Sequence, residues 1–278
     1  MESHFKDKVA FITGAGSGMG QALSVRLAQF GATVVITDVS PEGLEKTRQI
    51  IEASHGKAIA HSLDVTDRIH FEELLRATKE QQGSLDFIFN NAGIAIIGEV
   101  RDMPREDWDR VIEINQTGVL NGTLAAYQIM LTQGSGHIVN TASIAGLVPA
   151  PILTAYGMTK HAVVGLTLSL REEAEALGVK ASVVCPGIVK TGIAKGQYSR
   201  GFDPVNPFQI MEESLPIKPV PAHIAAEKIL AGVAKNKAKI IFPFNASFGV
   251  WATHAIWYLH ERVNQRLLRY FREHYRNQ

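Results

Sequence analysis

The sequence predicts an α/β fold: one doubly wound parallel sheet of about seven strands with helices on both faces. Three observations predict it. Short β-branched apolar runs alternate with longer helical patterns along most of the chain, as in strands joined by crossover helices. The first such run passes directly into the glycine-rich stretch Gly14-Ala-Gly-Ser-Gly-Met-Gly20, and the second ends on Asp38. No linker or internal repeat divides the 278 residues, so residues 1–278 read as a single domain.

Residues 8–13 predict a buried strand and 21–30 a helix ended by Gly31. Residues 33–38 form the next strand. Asp38 follows Gly20 at close to the spacing of about 20 residues expected of a dinucleotide site. The glycines let backbone N–H groups at a helix N-terminus approach a pyrophosphate. A helix over 41–54 and a strand over 57–63 lead to Asp64-Val65. A helix over 67–82 takes Thr66 as its N-cap. Residues 85–89 are a strand running into Asn90-Asn-Ala-Gly93, and 104–132 a long helical region with a break around Asn115 to Gly118. A strand over 136–141 precedes Ala142-Ser143. A helix over 154–177, closed by Gly178, precedes a strand over 179–184 and Cys185-Pro-Gly-Ile-Val-Lys-Thr191. From 192 to 221 glycine, proline and large apolar residues mix, and so long an irregular insert reads as a substrate lid. A helix over 222–235, a seventh, edge-type strand over 238–243 and a helical extension over 247–275 complete the chain.

Hydrophobic residues make up 46% and charged residues 20%, enough for a sizeable core, and the net charge of +1 with no long charged run argues against nucleic acid. The single cysteine, Cys185, excludes an internal disulfide framework. With no visible signal peptide, it points to a cytoplasmic location. No uninterrupted apolar run reaches about 18 residues, the length of a bilayer span. The ten histidines show no H-E-x-x-H or comparable spacing, so no metal is expected.

Chemistry concentrates at Tyr156-Gly-Met-Thr-Lys160. A tyrosine and a lysine four apart share one helix face. There the ammonium can stabilise a phenolate and draw the tyrosine pKa from about 10 toward neutrality. On spacing alone, a half-buried tyrosine beside an exposed lysine is equally ordinary. Ser143 has no G-x-S-x-G context, so a hydrolase nucleophile is not indicated.

With Thr13 to Gly20, Asn90-Asn-Ala-Gly93, Asn115, Ser143, Tyr156-x-x-x-Lys160 and Pro186-Gly187 in this order, the sequence resembles the short-chain dehydrogenase/reductase family from about residue 5 to about 243. Met19 stands where the family often has isoleucine, and the tail after Pro243 is longer than the usual family ending. The resemblance implies a Rossmann-like sheet and an oxidoreductase, and Asp38, placed to accept from the adenosine ribose hydroxyls and to repel a 2′-phosphate, makes the expected cofactor NAD rather than NADP. The resemblance makes Tyr156 the general acid/base, Lys160 the group that lowers its pKa and binds the nicotinamide ribose, Ser143 the orienter of the substrate oxygen, and Asn115 the holder of a water in a proton relay. Cofactor contacts would come from Gly14, Ser17, Gly18, Met19, Gly20 and Asp38, from Asp64, Val65, Asn91 and Gly93, and from Ile188 and Thr191, in addition to Tyr156 and Lys160.

The reading is an NAD-dependent alcohol dehydrogenase or ketoreductase acting on a hydrophobic secondary alcohol or ketone. A reductase or dehydratase of another substrate class and a dinucleotide-binding regulator without turnover stand beside it. The wall expected from Ile94, Ile96, Ile97 and residues 145–152 is apolar, with no arginine evidently placed for an anionic substrate. A homodimer or homotetramer is expected through the helical regions 104–132 and 154–177, where Ala162, Gly165 and Ser169 would let a neighbouring helix approach. The basic, aromatic face of 251–275 can close over a neighbouring subunit or make a peripheral membrane contact. The subunit reading is preferred because the chain carries no lipidation motif.

Overall fold

The computed structural model describes residues 1–191, 199–201 and 218–243, with Arg266, Arg269, Tyr270 and Glu273 in addition. A short helix α1 (Glu2–Phe5) leads into β1 (Val9–Thr13), α2 (Gly18–Gln29), β2 (Thr33–Asp38), α3 (Pro41–Ala53), β3 (Lys57–Ser62), α4 (Arg68–Gln82) and β4 (Phe87–Asn90). Next come α5 (Arg105–Ile112), a π turn (Glu113–Thr117), α6 (Gly118–Gln133), β5 (Gly136–Thr141), α7 (Thr154–Ala174) and β6 (Val179–Pro186). The two-residue strands β7 (Val189–Lys190) and β8 (Val220–Pro221) pair with each other, and α8 (Ala222–Ala234) and β9 (Lys239–Phe242) follow.

Seven strands form one parallel sheet in the order β3-β2-β1-β4-β5-β6-β9, so the expected doubly wound architecture stands. The order reverses between β1 and β4, which opens a crevice at the C-terminal edge of the sheet. Alternation along the strands sends side chains to two cores. Ala10, Ile12, Val34, Ile36 and Phe89 meet Leu23 and Leu27 of α2 and Ile229, Leu230 and Val233 of α8. Phe11, Val35, Ile88 and Ile138 meet Phe71 and Leu75 of α4, Ala126 and Met130 of α6, and Leu170 of α7. Burial on both faces is why these strands read as continuous apolar runs.

Several expected boundaries move for local reasons. Helix α2 starts at Gly18 and not at residue 21, because the turn ends at the extended Ser17 and the last two motif glycines belong to the helix. Asp67, not Thr66, caps α4 by accepting the His70 N–H at 3.0 Å, while Thr66 donates its hydroxyl and N–H to Asp64. An ionised acid at a helix N-terminus also complements the helix dipole. The expected break around Asn115 is a π turn inside a continuing helix. Helix α7 ends at Ala174 and passes through one 3-10 turn to Gly178. The lid expectation over 192–221 lies mostly outside the described residues. The extension over 247–275 lies outside them as well, save the four residues named.

Candidate active site

The sequence-nominated residues follow or end successive strands at the C-terminal edge of the sheet, or project from the helices beside it. At the end of β1, Gly14 takes the left-handed φ of 66° that the turn demands. A Cβ on Gly20 would collide with the Gly14 carbonyl, so the turn closes only on glycine. Asp38 ties the turn to β2: Oδ2 accepts the Gly16 N–H at 2.9 Å and Oδ1 the Ser40 N–H at 3.0 Å. Ser17 is exposed and makes no capping bond to α2, so among the described residues the first-turn N–H groups have no side-chain cap. The Met19 side chain packs against the core. Gly18 lies against Thr191, whose side chain would be 3.2 Å from a Cβ there.

Asn91 donates through Nδ2 to the Thr13 carbonyl at 3.1 Å, and Thr13 Oγ1 accepts the Asn91 and Ala92 N–H groups at 3.0 Å each. Asn91 Oδ1 is buried with no hydrogen-bond partner among the described residues. Asp64 is exposed and its Oδ1 is engaged by Thr66. Val65 is 7% exposed, packed under Gly118, and its carbonyl accepts from Asn121 at 2.9 Å. Ile188 is buried, and its carbonyl accepts the Val220 N–H.

On the other side of the crevice stand the four side chains nominated for the chemistry. Asn115, on the π turn, clips Ile94: Oδ1 accepts its N–H and Nδ2 donates to its carbonyl, both at 2.8 Å. Gly93 makes this approach possible, since a Cβ there would lie 3.0 Å from Asn115 Oδ1 and 3.5 Å from Lys160 Nζ. Lys160 is 2% exposed, donates to the Thr141 carbonyl at 2.9 Å, and places Nζ 5.5 Å from the centre of the Tyr156 ring. Ser143 is buried and accepts the Ala145 N–H at 3.2 Å. The turn that follows it sits tightly on α7, where a Cβ on Gly146 would lie 2.5 Å from the Lys160 carbonyl oxygen. Ser143 and Tyr156 share a side-chain hydrogen bond.

The electrostatics differ from the sequence expectation. Burial pushes the Tyr156 phenol above its ordinary pKa, a hydrogen bond with Ser143 opposes this, and Cys185 adds to it. Burial also lowers Lys160 from 10.5 to about 8. The expected lowering of the tyrosine is therefore not found in the chain by itself. Both groups lose water, and desolvation disfavours the charged form of each. Cys185, pushed up to about 12 by burial, stays a thiol and behaves as a small apolar residue.

Sequence reasoning missed the polar layer beneath the site. Asn90 Nδ2 donates to Asn140 Oδ1 at 2.8 Å, and Asn140 Nδ2 donates to Thr123 and Thr167 at 3.1 and 3.0 Å. These residues come from four elements, and no local pattern joins them. Sequence also missed Arg200, whose guanidinium grips Asp107 at 2.6 and 3.1 Å. Ile96 was expected in the pocket wall. It instead packs into a cluster with Met103, Val111 and Ala155.

A glycine-rich turn at the switch point and a Tyr-Lys pair beside a buried serine define a nucleotide-dependent oxidoreductase of the Rossmann-like class. The family model described as short chain dehydrogenase matches residues 8–200. The chain is 36% identical over 239 residues to a levodione reductase of Leifsonia aquatica, covering 84% of this chain and 88% of that protein. A short-chain dehydrogenase/reductase of Burkholderia phymatum, solved in complex with NAD, superposes with a TM-score of 0.82 at 31% identity, covering 92% of this chain and 96% of that one. An NAD+-bound xylitol dehydrogenase gives 0.77 at 28% identity, covering 86% and 98%. The chain belongs to the short-chain dehydrogenase/reductase family.

Proposed function

We propose that this oxidoreductase transfers a hydride between NAD and a hydrophobic secondary alcohol or ketone, with Tyr156 as the general acid/base. The observation that carries the reading is the placement of a phenol, a buried ammonium one helical turn away and a buried hydroxyl around one crevice edge. The residues present fit the dinucleotide. The start of α2, where Ser17 makes no side-chain cap, offers N–H donors for a pyrophosphate, and Asp38 closes the turn beside it. NAD-bound relatives of the same fold support the choice. A 2′-phosphate near Asp38 would meet a like charge, worth about 4 kcal/mol per unit pair at 4 Å and an effective dielectric of about 20, before screening.

When bound, the nicotinamide supplies or accepts the hydride. The protein's own part is proton handling. With its pKa raised, Tyr156 keeps its proton at neutral pH and donates it to a carbonyl oxygen as charge develops there. Ser143 Oγ holds that oxygen in place. Lys160, charged below about pH 8, supplies the positive field that favours the phenolate left behind. The site is thus loaded for carbonyl reduction near neutrality, and oxidation draws on the same phenolate in reverse. The Asn115 side chain is spent on the main chain at Ile94, and a water held at Asn115, passing protons through Lys160, is the relay the family resemblance implies. The apolar residues Ile97, Ala145 and Ile152 near the crevice favour a hydrophobic substrate.

The active form would be a homo-oligomer. Leu120 and Leu124 of α6 and Met158 of α7 are exposed, and a Cβ on Gly165 would meet nothing within 4 Å. An open apolar face of this kind suits a second copy. The single buried thiol suits a cytoplasmic setting. Among the described residues no helix is long and apolar enough to cross a membrane.

The test follows absorbance of reduced cofactor with a panel of hydrophobic ketones, levodione among them. Ketone-dependent loss of NADH, with NADPH at least about a hundredfold less effective, is expected. Tight NADH binding without turnover of any ketone or alcohol would assign the chain to binding alone.

A further inference from the structure

Three separated pieces of chain meet at the substrate side of the crevice without forming a regular strand. Gly98 bridges Leu153 in parallel, and its N–H donates to the Ile152 carbonyl at 2.8 Å. Ile97 bridges Ser199 in the same sense, and the Arg200 N–H donates to the Ile97 carbonyl at 2.7 Å. Residues 97–98 are therefore the middle rung between 152–153 and 199–200. The rung at 152 is strained: Ile152 has a φ of 62°, which a β-branched residue adopts only when its surroundings impose it.

The outer rung has an anchor. Arg200 Nε and Nη2 reach Asp107 Oδ2 and Oδ1 at 2.6 and 3.1 Å, a bidentate fork. The Asp107 side chain is 11% exposed and the Arg200 side chain 34%. Asp107 belongs to α5, so the fork pins residue 200 to a helix. The Arg200 stem lies on the main chain of Gly98, where a Cβ would be 3.1 Å from Arg200 Cβ. The guanidinium is thereby engaged with Asp107 and does not present a free cation to an anionic substrate.

We propose that Arg200 and Asp107 are positioning residues that fix the substrate-side wall and govern affinity for the carbonyl or alcohol, and not for the dinucleotide. The inference rests on the carbonyl–alcohol reading above. Residues 144–153 join Ser143 to the helix of Tyr156, the two groups that share the substrate oxygen. Slack at Ile152 therefore changes where a carbonyl sits between them. The glycine-rich turn and Asp38 lie on the other side of the crevice, and none of these contacts reaches them.

Two readouts test this. In amide hydrogen exchange, Arg200→Ala should lose protection at Gly98 and at position 200, while β1 amides keep theirs. In kinetics, the same variant should raise KM for a ketone about tenfold or more, with the dissociation constant of NADH within about twofold. Arg200→Lys, which keeps the charge without the fork, should recover part of the loss. Asp107→Asn combined with Arg200→Ala should be no worse than Arg200→Ala alone. A ketone KM equal to wild type, an NADH affinity that falls as far as the ketone's, or unchanged exchange at Gly98 each overturns the proposal. If Arg200→Ala does not fold, Arg200→Lys and Asp107→Asn carry the same comparison. A wild-type chain that binds NADH and reduces no carbonyl refutes the proposed reaction instead, and the exchange measurement then decides the clasp by itself.

Discussion

On the dinucleotide side of the crevice, each nominated group sits within a few residues of a continuous ladder: Thr13 pairs Thr37, and Asp38 pairs Ser62. On the substrate side, residues 94–104 and 144–153 belong to no named strand. Among the described residues their long-range ties include the Asn115 clip, two isolated bridges and the seat of the Gly146 turn on α7, with the Arg200–Asp107 ion pair holding the neighbouring rung. The first half rests on the strand ladders, to which the Asp38 and Thr13 side chains tie the adjoining turns. The second half concentrates its rigidity in a few contacts, so single substitutions should act there with little effect on the fold. A dinucleotide is a constant ligand and suits the first construction. A variable substrate suits the second, where specificity can change without disturbing the sheet.

The contrast can be broken most sharply at the residue between the halves. Tyr156→Phe removes one hydroxyl and should lower kcat by about 10²–10⁴-fold while NADH binding and thermal unfolding stay near wild type. Retention of a tenth of the wild-type kcat would take the acid/base role from Tyr156. A smaller effect is expected on the dinucleotide side: Asp38→Asn should erode an NAD preference of about a hundredfold, with ketone KM unchanged. If NAD and NADP already serve equally in the wild type, the reading of Asp38 is wrong.

Lys160 tests the shared floor of the site. Its folded pKa lies below its unfolded value, so between about pH 8 and 10.5 the unfolded chain binds more protons. Stability therefore rises with pH across that window. Below it the cost of the buried ammonium, about 3 kcal/mol, is present in full. Denaturant titrations of wild type and Lys160→Met should diverge in slope against pH only in this window. Parallel curves would mean that the ammonium is well solvated. The rate of carbonyl reduction should fall as pH rises through about 8, because the ammonium is then lost.

The smallest expected effect is at Gly165, on the exposed face of α7. Gly165→Ala should stabilise an isolated chain by about 0.5–1 kcal/mol, since Ala is the better helix former and the space is open. If that face pairs two copies, sedimentation of Gly165→Leu at micromolar concentration should show a smaller species than wild type. An unchanged mass would place the subunit contact elsewhere.

The sequence by itself determined the local frame of the glycine-rich turn. A strand, a turn that only glycine can close, a helix and an acid at the next strand's end are contiguous, and their geometry follows from local backbone sterics and hydrogen bonding. Tyr156 and Lys160 were legible for the same reason, because helical periodicity places them one turn apart. Only the tertiary structure decided the rest. The desolvation that raises Tyr156 and lowers Lys160 depends on what packs over them, and spacing cannot report it. The clip from Asn115 to Ile94, the layer of Asn90, Asn140, Thr123 and Thr167, and the grip of Arg200 on Asp107 join residues far apart in the chain. Each partner alone is an ordinary polar residue. A long-range contact leaves no periodic trace in one sequence, and it appears only when the chain has folded.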